Sequence, residues 1–166
     1  MTTVYTTHAT PIGQLAIASG PRGLFLVRIQ SEKHPWGPEP DWCEDRSALA
    51  PVLEQLDAYF AGQLTHFELD LDLRGTDFQV RIWTALGQVP YGQTVSYLQL
   101  AQQVGSPKAS RAVGLAMSKN PILLILPCHR VVGSNGKLTG FRHGLDQKRS
   151  LLDFEQSQRV LGTPWP

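Results

Sequence analysis

The adjacent residues Cys128 and His129 carry the side chains best suited to chemistry in this sequence. They follow Pro127 and the apolar run 122–126. A cysteine attacks only as a thiolate, and near neutral pH it needs a base or a nearby positive charge to reach that form. His129 can supply the base and Arg130 the charge. A bare pair of this kind is nevertheless more often part of the core, because cysteine is among the most frequently buried residue types.

The charged residues are distributed unevenly along the chain. Residues 1–75 contain five Lys or Arg and ten Asp or Glu, a net charge of −5, whereas residues 76–166 contain ten and four, a net charge of +6. A basic half indicates a polyanionic partner for the C-terminal part of the chain. Two complementary surfaces within one protein would produce the same asymmetry.

Length and composition are typical of a globular protein with one domain or two small ones. The chain has 166 residues, of which 42% are hydrophobic, and no apolar run is long enough to span a membrane. No basic stretch precedes an apolar one at the N-terminus, so we expect no signal peptide. Two cysteines, Cys43 and Cys128, are too few for a disulfide scaffold or a cysteine-rich zinc site, and they indicate a reducing, cytoplasmic compartment.

Residues 1–75 are predicted to form a small domain of strands and one helix. The domain boundary is predicted at Gly75. Alternating apolar residues indicate strands, and apolar residues at helical spacing indicate the helix. Pro and Gly mark the connecting loop. The predicted elements are a hairpin of strands at 13–18 and 24–29, a loop at 31–47, a helix at 48–60 and a half-buried strand at 67–73.

Residues 76–166 are predicted to be mainly helical. Thr76 and Ser96 are typical N-cap residues, and Gly105 is a typical helix stop. They predict one helix after Thr76 and a second at 97–104. A third is predicted at 108–119, opened by a proline that is tolerated in a first helical turn.

The second and third of these helices, joined by a short turn with a glycine, are typical of a helix-turn-helix. An ordinary pair of core helices shows the same pattern. The third helix, however, surrounds a single arginine, Arg111, with small residues that would let it approach DNA closely. Arg111 is therefore a candidate to enter a groove or the base stack, although alone it is also compatible with a solvated surface charge.

Further segments accompany these motifs: Asn120-Pro121, Pro90-Tyr91-Gly92, Ser96-Tyr97, Gly140-Phe141, and Lys148 with Leu151-Leu152 and Glu155. Together with Pro127-Cys128-His129-Arg130-Val131 and Arg111-Ala112-Val113-Gly114, they resemble the O6-alkylguanine-DNA alkyltransferase family. The resemblance extends over roughly residues 76–155 with order and spacing kept, and it is weaker in the N-terminal part.

The resemblance implies an α/β fold class with two domains. Residues 1–75 would form a small sheet-plus-helix domain of the ribonuclease H type. Residues 76–166 would form a mainly helical, winged-helix-like domain that binds DNA and accepts the alkyl group. The implied activity is direct-reversal DNA repair, in which an alkyl group passes irreversibly from O6-alkylguanine, with O4-alkylthymine as a second candidate, to the protein's own cysteine. No cofactor is expected.

The resemblance also assigns catalytic roles. Cys128 would accept the alkyl group, and His129 would take the thiol proton through a water while Glu155 orients it. Tyr97 would donate a proton toward the departing guanine, and Asn120 would brace the active-site turn. Without the resemblance, Glu155 is compatible with a solvated helix carboxylate, Tyr97 with a hydrophobic first turn and Asn120 with a helix end.

The implied partner is double-stranded DNA bound through its minor groove, with the damaged nucleotide flipped out because a stacked base does not present its alkyl group to a buried thiol. Arg111 would fill the gap left in the duplex. The resemblance implies a monomer, leaves cooperative binding open and implies no membrane partner. The predicted DNA-contacting residues are Lys108, Ala109, Ser110, Arg111, Ala112, Gly114 and Arg130, and the predicted pocket residues are Met117, Val131, Phe141 and Arg142.

The sequence departs from the family pattern at two places that bear on the site. Phe141 stands where many relatives have tyrosine, which keeps stacking on guanine but removes a hydroxyl. Arg142 and His143 stand where small residues are common, so we expect a bulkier and more basic pocket rim. Some relatives bind zinc in the N-terminal domain, but the arrangement needed for it is lacking among His8, His34, Cys43 and His66, and we expect no metal.

Three other functions stay open on sequence grounds. A non-catalytic damage-binding protein of the alkyltransferase-like kind would lack the cysteine, and Cys128 argues against it. A helix-turn-helix regulator would need chain length for a further domain. A cysteine hydrolase would leave the helix-turn-helix and the basic half unexplained.

Overall fold

Alternating apolar and polar residues build a four-stranded sheet in the first part of the chain. The structure, a computed structural model, describes residues 2–158 and 161–166. The strands are β1 (Val4–Thr10), β2 (Gly13–Gly20), β3 (Gly23–Ile29) and β4 (Cys43–Glu44), in the order β3-β2-β1-β4. The β2–β3 hairpin confirms the sequence prediction, whereas β1 and the short β4 were not predicted.

One helix, α1 (Ala50–Phe60), completes this layer and confirms the helix predicted at 48–60. Its buried residues recur at helical spacing, as at Leu53 and Leu56. The sheet contributes fully buried side chains such as Leu15 and Ile17 to the core. Burial of these apolar surfaces is the main force that holds the layer together.

The strand predicted at 67–73 is wrong. Leu71 forms only an isolated bridge with Leu24, through hydrogen bonds from Leu24 N to Asp70 O and from Asp72 N to Leu24 O, both of 2.8 Å. The backbone of Glu68 is bound instead by the Gln55 side chain, which accepts from its N–H and donates to its C=O. The alternating segment is therefore extended, but it is not part of a ladder.

The chain divides into two compact units, the first containing the residues up to Asp72 and the second beginning at Leu73. The predicted boundary at Gly75 differs from this division by three residues. The residues from Leu161 onward belong to the first unit and not, as the predicted range 76–166 implied, to the second. Gly162 N donates to Gly62 O, Trp165 N donates to Phe60 O at 2.7 Å, and the Trp165 ring meets Phe60 edge-on.

The second unit is mainly helical, as predicted. Its elements are α2 (Asp77–Leu86), β5 (Val95–Ser96), α3 (Tyr97–Gln103), α4 (Ser110–Ser118), a 3₁₀ turn (Cys128–Arg130), β6 (Val131–Val132) and α5 (Leu145–Gln156). Thr76 and Ser96 each form a capping box with the glutamine three residues later, which confirms both predicted caps. No helix among residues 2–158 and 161–166 has the length and hydrophobicity needed to cross a bilayer.

The third predicted helix begins later than expected. Lys108 and Ala109 lie before α4, in a turn closed by the hydrogen bond from Ala109 N to Ser106 O. Pro107 lies in the same turn, three residues before α4 begins, so it is not in the first turn of the helix as predicted. Trp83 of α2 holds α4 from inside by donating its Nε1–H to Ala116 O at 3.0 Å. The α3–α4 pair keeps the helix-turn-helix order.

Candidate active site

Two short strands align the segments that carry the candidate catalytic residues. β5 pairs in parallel with β6, Val95 with Val131 and Ser96 with Val132. Tyr97 follows β5 directly, and the turn that holds Cys128 and His129 directly precedes β6. Pairing of the two strands therefore ties the tyrosine segment to the cysteine segment.

A buried hydrogen-bonded network surrounds His129. Its Nε2 lies 2.7 Å from Glu155 Oε2. The Arg130 guanidinium donates to the same carboxylate, from Nε to Oε1 at 2.7 Å and from Nη2 to Oε2 at 3.0 Å, and its Nη1 donates to Val89 O. The side chains of His129 and Glu155 are fully buried. The carboxylate thus holds both basic side chains in fixed positions.

The charges in this network determine which nitrogen of His129 can accept a proton. Burial alone would raise the pKa of Glu155, but the charges and hydrogen bonds of His129 and Arg130 outweigh it and hold this pKa well below its usual range. Burial lowers the pKa of His129 against the pull of Glu155, which favours a neutral imidazole. Nε2 must then carry the hydrogen that the carboxylate accepts, which leaves Nδ1 as the basic nitrogen. Nδ1 is buried and has no hydrogen-bond partner among the described residues.

Cys128 is a buried free thiol, 7% exposed, and it depends on its neighbours for activation. Burial raises its pKa above the ordinary cysteine value. A hydrogen bond from the Asn120 side chain and the positive charge of Lys148 work in the opposite direction. A thiol of this kind is mostly protonated at neutral pH and requires a base to become a nucleophile.

Asn120 fixes the turn that leads to Cys128. Its Nδ2 donates to Leu126 O at 2.7 Å, and its Oδ1 accepts from Ile122 N at 2.9 Å. Between these points Leu124 takes a left-handed backbone conformation, with φ of 71°, which is uncommon for a residue other than glycine. The side-chain clamp holds this tight apolar turn, and with it the position of the following Pro127-Cys128 segment.

Lys148 is a residue at the site to which sequence analysis gave no role. It is fully buried, and Nζ donates to Thr139 O at 2.9 Å. Tyr97 Oη donates to the same carbonyl at 2.9 Å, and Lys148 Nζ lies 5.8 Å from the centre of the Tyr97 ring. Burial lowers the pKa of Lys148 to about 8, whereas the cysteine works to raise it. Burial likewise raises the pKa of Tyr97.

A signal for Lys148 was present in the sequence. Lys148 and Glu155 are seven residues apart, which is two helical turns, and the apolar Leu151 and Leu152 lie between them. A charged residue at each end of an apolar helix face predicts two buried charges that need partners. All four side chains are buried on α5.

Arg130 requires a correction. It was predicted to contact DNA, but the structure buries it, with 6% exposed, and its guanidinium is occupied by Glu155 and Val89 O. It also lies over the Tyr91 ring, 5.6 Å from the centroid. A guanidinium held in this way positions Glu155 and does not reach a phosphate.

The other predicted DNA-contacting residues lie on or just before α4. Lys108, Arg111 and Ala112 are exposed. Ala109, Ser110 and Gly114 are partly exposed. Residues 78–145 contain seven Lys or Arg and no Asp or Glu, so this segment is uniformly basic. A basic surface on a helix-turn-helix is suited to a phosphate backbone.

The predicted pocket residues have two different environments. Met117 and Val131 are buried, as walls of a pocket or ordinary core residues would be. Phe141 is partly exposed, and Arg142 is exposed. Both follow Thr139, whose carbonyl binds Tyr97 and Lys148, so the 139–142 segment is attached to the catalytic cluster. No group of three or more His, Cys, Asp or Glu side chains in the part of the chain described here is arranged to hold a metal ion.

Two family models match consecutive parts of the chain. The 6-O-methylguanine DNA methyltransferase ribonuclease-like domain matches residues 3–73, and the DNA-binding domain of the same family matches residues 77–157. Together they confirm the predicted fold class, with a ribonuclease-like first unit.

Similar curated proteins cover nearly the whole chain. The methylated-DNA–protein-cysteine methyltransferase of Mycobacterium tuberculosis is 48% identical over 155 residues, 93% of each chain. That of Methanosarcina acetivorans is 45% identical over 153 residues, 92% of this chain and 98% of its own. The crystal structure of Mycobacterium tuberculosis OGT in complex with DNA has a TM-score of 0.86 and 46% identity, covering 97% of this chain and 95% of its own.

Proposed function

The chain belongs to the 6-O-methylguanine DNA methyltransferase family, and from this premise and the site geometry we propose that it repairs O6-alkylguanine by taking the alkyl group onto Cys128. That it is a DNA-repair methyltransferase follows from the family itself. The observation that carries it is the hydrogen-bonded series from the Arg130 guanidinium through Glu155 to His129, beside a buried free cysteine.

The transfer is a displacement at the alkyl carbon. His129 Nδ1 takes the thiol proton through a water, and the Cys128 sulfur forms a bond to the alkyl carbon as the carbon–O6 bond breaks. The electron pair of that bond leaves with the guanine, which gains a proton and becomes an ordinary guanine. The thioether that remains has no easy leaving route, so each protein molecule reacts once.

Three further side chains serve this step. Tyr97, held beside Lys148 by Thr139 O, donates the proton that the departing guanine gains. The Lys148 ammonium offsets the negative charge then left on the tyrosine oxygen, and it stabilises the Cys128 thiolate. Asn120 holds the turn and donates a hydrogen bond to the sulfur. Fixed donors aimed at developing charge are a large source of rate enhancement in a site that excludes water.

The lesion reaches the thiol by base flipping, since Cys128 is buried and a stacked guanine is inaccessible to it. We propose that α4 docks in the minor groove of the duplex, with Arg111 in the gap left by the flipped nucleotide, and with Met117, Val131, Phe141 and Arg142 around the base. We also propose that the protein acts as a monomer in the cytoplasm, where a reducing environment keeps Cys128 a thiol.

The number of turnovers tests this function directly. When the protein is mixed with an excess of duplex containing O6-methylguanine, we expect the guanine restored to equal the protein added, and no more on longer incubation. Digestion of the DNA and chromatography of its nucleosides give the count. Continued turnover would contradict a stoichiometric acceptor.

The flipping role of Arg111 predicts a substrate-dependent loss. In Arg111→Ala we expect transfer from duplex DNA to fall by about a hundredfold, because flipping costs a few kcal/mol that the arginine offsets. Transfer from free O6-methylguanine base should be unchanged. Arg149→Ala, which removes an exposed arginine from α5, is the matched control. Equal losses on both substrates would exclude the flipping role.

Lys148 is expected to stabilise the Cys128 thiolate near neutral pH, where the lysine carries its charge. In Lys148→Met we expect thiol labelling and alkyl transfer at neutral pH to slow, since the ammonium near the sulfur is lost. The rate of thiol labelling by a small methanethiosulfonate reagent across pH measures this effect. Lys137→Met, an exposed control, should leave the profile unchanged. In the wild type the effect of Lys148 should disappear as pH rises through about 8, where the lysine loses its charge.

A further inference from the structure

Leu115 is an apolar side chain in an unusual position. It lies on α4 with 59% of its surface exposed, the largest exposed fraction of any large hydrophobic residue that the structure describes. The packing of α4 on its own unit is provided by the buried residues Val113, Ala116 and Met117. Leu115 is not among the buried residues of that core. A single exposed leucine is ordinary on a protein surface, so the neighbours of Leu115, and not its exposure alone, bear on its function.

Its surroundings point toward nucleic acid. Leu115 lies one helical turn after Arg111, so the two side chains share a face about 6 Å apart. Between them, Ala112 and Gly114 have side chains too small to keep a partner away. Lys119, four residues further on, is exposed on the same side. On this face of α4, Leu115 therefore lies between the two cations Arg111 and Lys119, in the part of the chain, residues 78–145, that contains no acidic residue.

We propose that Leu115 is an apolar DNA contact that packs against the deoxyribose rings next to the nucleotide position filled by Arg111. This inference rests on the proposed function, because it requires α4 to lie in the minor groove. The sugars that line this groove present C–H surface, and proteins that bind the minor groove frequently bring apolar side chains such as leucine into it. A leucine at this point contacts the DNA strand next to the position left by the flipped nucleotide. It makes no base-specific contact, which suits a protein that must bind DNA of any sequence.

A second protein molecule is the less favoured occupant. The three cations on or beside this face, Lys108, Arg111 and Lys119, would repel one another across an interface formed by the same face of two copies. Their charge instead complements phosphates on either side of an apolar contact.

An apolar contact and an ionic contact differ in their dependence on salt. Neutralising a phosphate releases counterions, so the affinity from a lysine falls as salt is added, whereas the affinity from a leucine does not. We expect Leu115→Ser to weaken binding to undamaged duplex about tenfold at every salt concentration, with an unchanged slope of log K against log salt. Lys108→Ser should instead reduce that slope by about one.

The experiment is a fluorescence-anisotropy titration of a labelled duplex at several salt concentrations with the full-length variants. Leu161→Ser is the matched control, because Leu161 is 54% exposed but belongs to the first unit. Thermal unfolding verifies that each variant is folded, which an exposed site should permit. Methyl transfer from free O6-methylguanine base should be the same in Leu115→Ser and the wild type.

Three outcomes would overturn the inference. Unchanged duplex affinity in Leu115→Ser would show that the leucine does not touch DNA. Loss of cooperativity without loss of affinity for a short duplex that holds one molecule would indicate a protein–protein contact. An equal loss of transfer from free base would indicate damage to the active site. Failure of the wild type to transfer methyl groups at all would instead overturn the proposed function and leave the salt-dependence comparison standing.

Discussion

Cys128→Ser is expected to abolish alkyl transfer completely while leaving the binding of damaged duplex DNA intact. A hydroxyl is far less acidic than a thiol and forms a poor nucleophile in the same place, so the base provided by His129 no longer suffices. The flipping and docking residues on α4 are untouched, and sulfur to oxygen is a small change in volume at a buried site. Intact-protein mass after incubation with the lesion measures transfer, and a gel-shift titration measures binding.

Cys43→Ser provides the matched control, because Cys43 is the other free thiol and lies exposed on β4. It should transfer one methyl group per molecule at the wild-type rate. Repair by Cys128→Ser would identify a different acceptor. Loss of transfer in Cys43→Ser would show that the exposed thiol takes part.

Glu155→Gln is expected to lower the free energy of unfolding and to slow alkyl transfer. The neutral amide leaves the Arg130 guanidinium buried without a counter-charge, and removing one partner of a buried ion pair typically costs about 3–5 kcal/mol. The same change replaces the acceptor-only carboxylate beside His129 Nε2 with a neutral amide whose NH2 group can donate, so the Nε2–H tautomer, with Nδ1 as the base, is no longer enforced. We expect transfer to slow strongly even at temperatures where the variant is folded.

The pH dependence of stability separates this role from a simple packing defect. A carboxyl whose pKa is depressed in the folded state contributes stability above its unfolded pKa, about 4.3, and that stability is lost as pH falls further. The wild type should therefore lose stability in acid more steeply than Glu155→Gln. Denaturant unfolding across pH tests this, with Asp153→Asn, an exposed acid on the same helix, as control. Parallel curves for wild type and Glu155→Gln would contradict the assigned charge.

Local sequence signals predicted most of the fold. Thr76 and Ser96 carried complete capping boxes, which depend only on residues three apart, and α2 and α3 begin where those boxes lie. The strand at 67–73 failed because pairing depends on a partner distant in sequence. The side chain of Gln55 occupies the backbone groups of Glu68 that a ladder would have used.

The site was predictable to the extent that a motif marked it. Cys128 and His129 are adjacent, but the partners of His129 and the interior position of Arg130 depend on how α5 packs on the 3₁₀ turn. Arg130 was therefore predicted to contact DNA, because nothing in the sequence marks Glu155 as its buried partner. The spacing of Lys148 from Glu155 indicated that Lys148 is buried. Its hydrogen-bond acceptor, the Thr139 carbonyl that also binds Tyr97, belongs to an irregular segment that no periodicity predicts.

Mass spectrometry tests most directly whether Cys128 itself becomes alkylated. The protein is mixed with a duplex that contains one O6-methylguanine, and its intact mass and digested peptides are then measured. We predict one added methyl group per protein molecule, located on the peptide that contains Cys128. An unmodified Cys128 together with restored guanine, or a methyl group on any other residue, would contradict the claim.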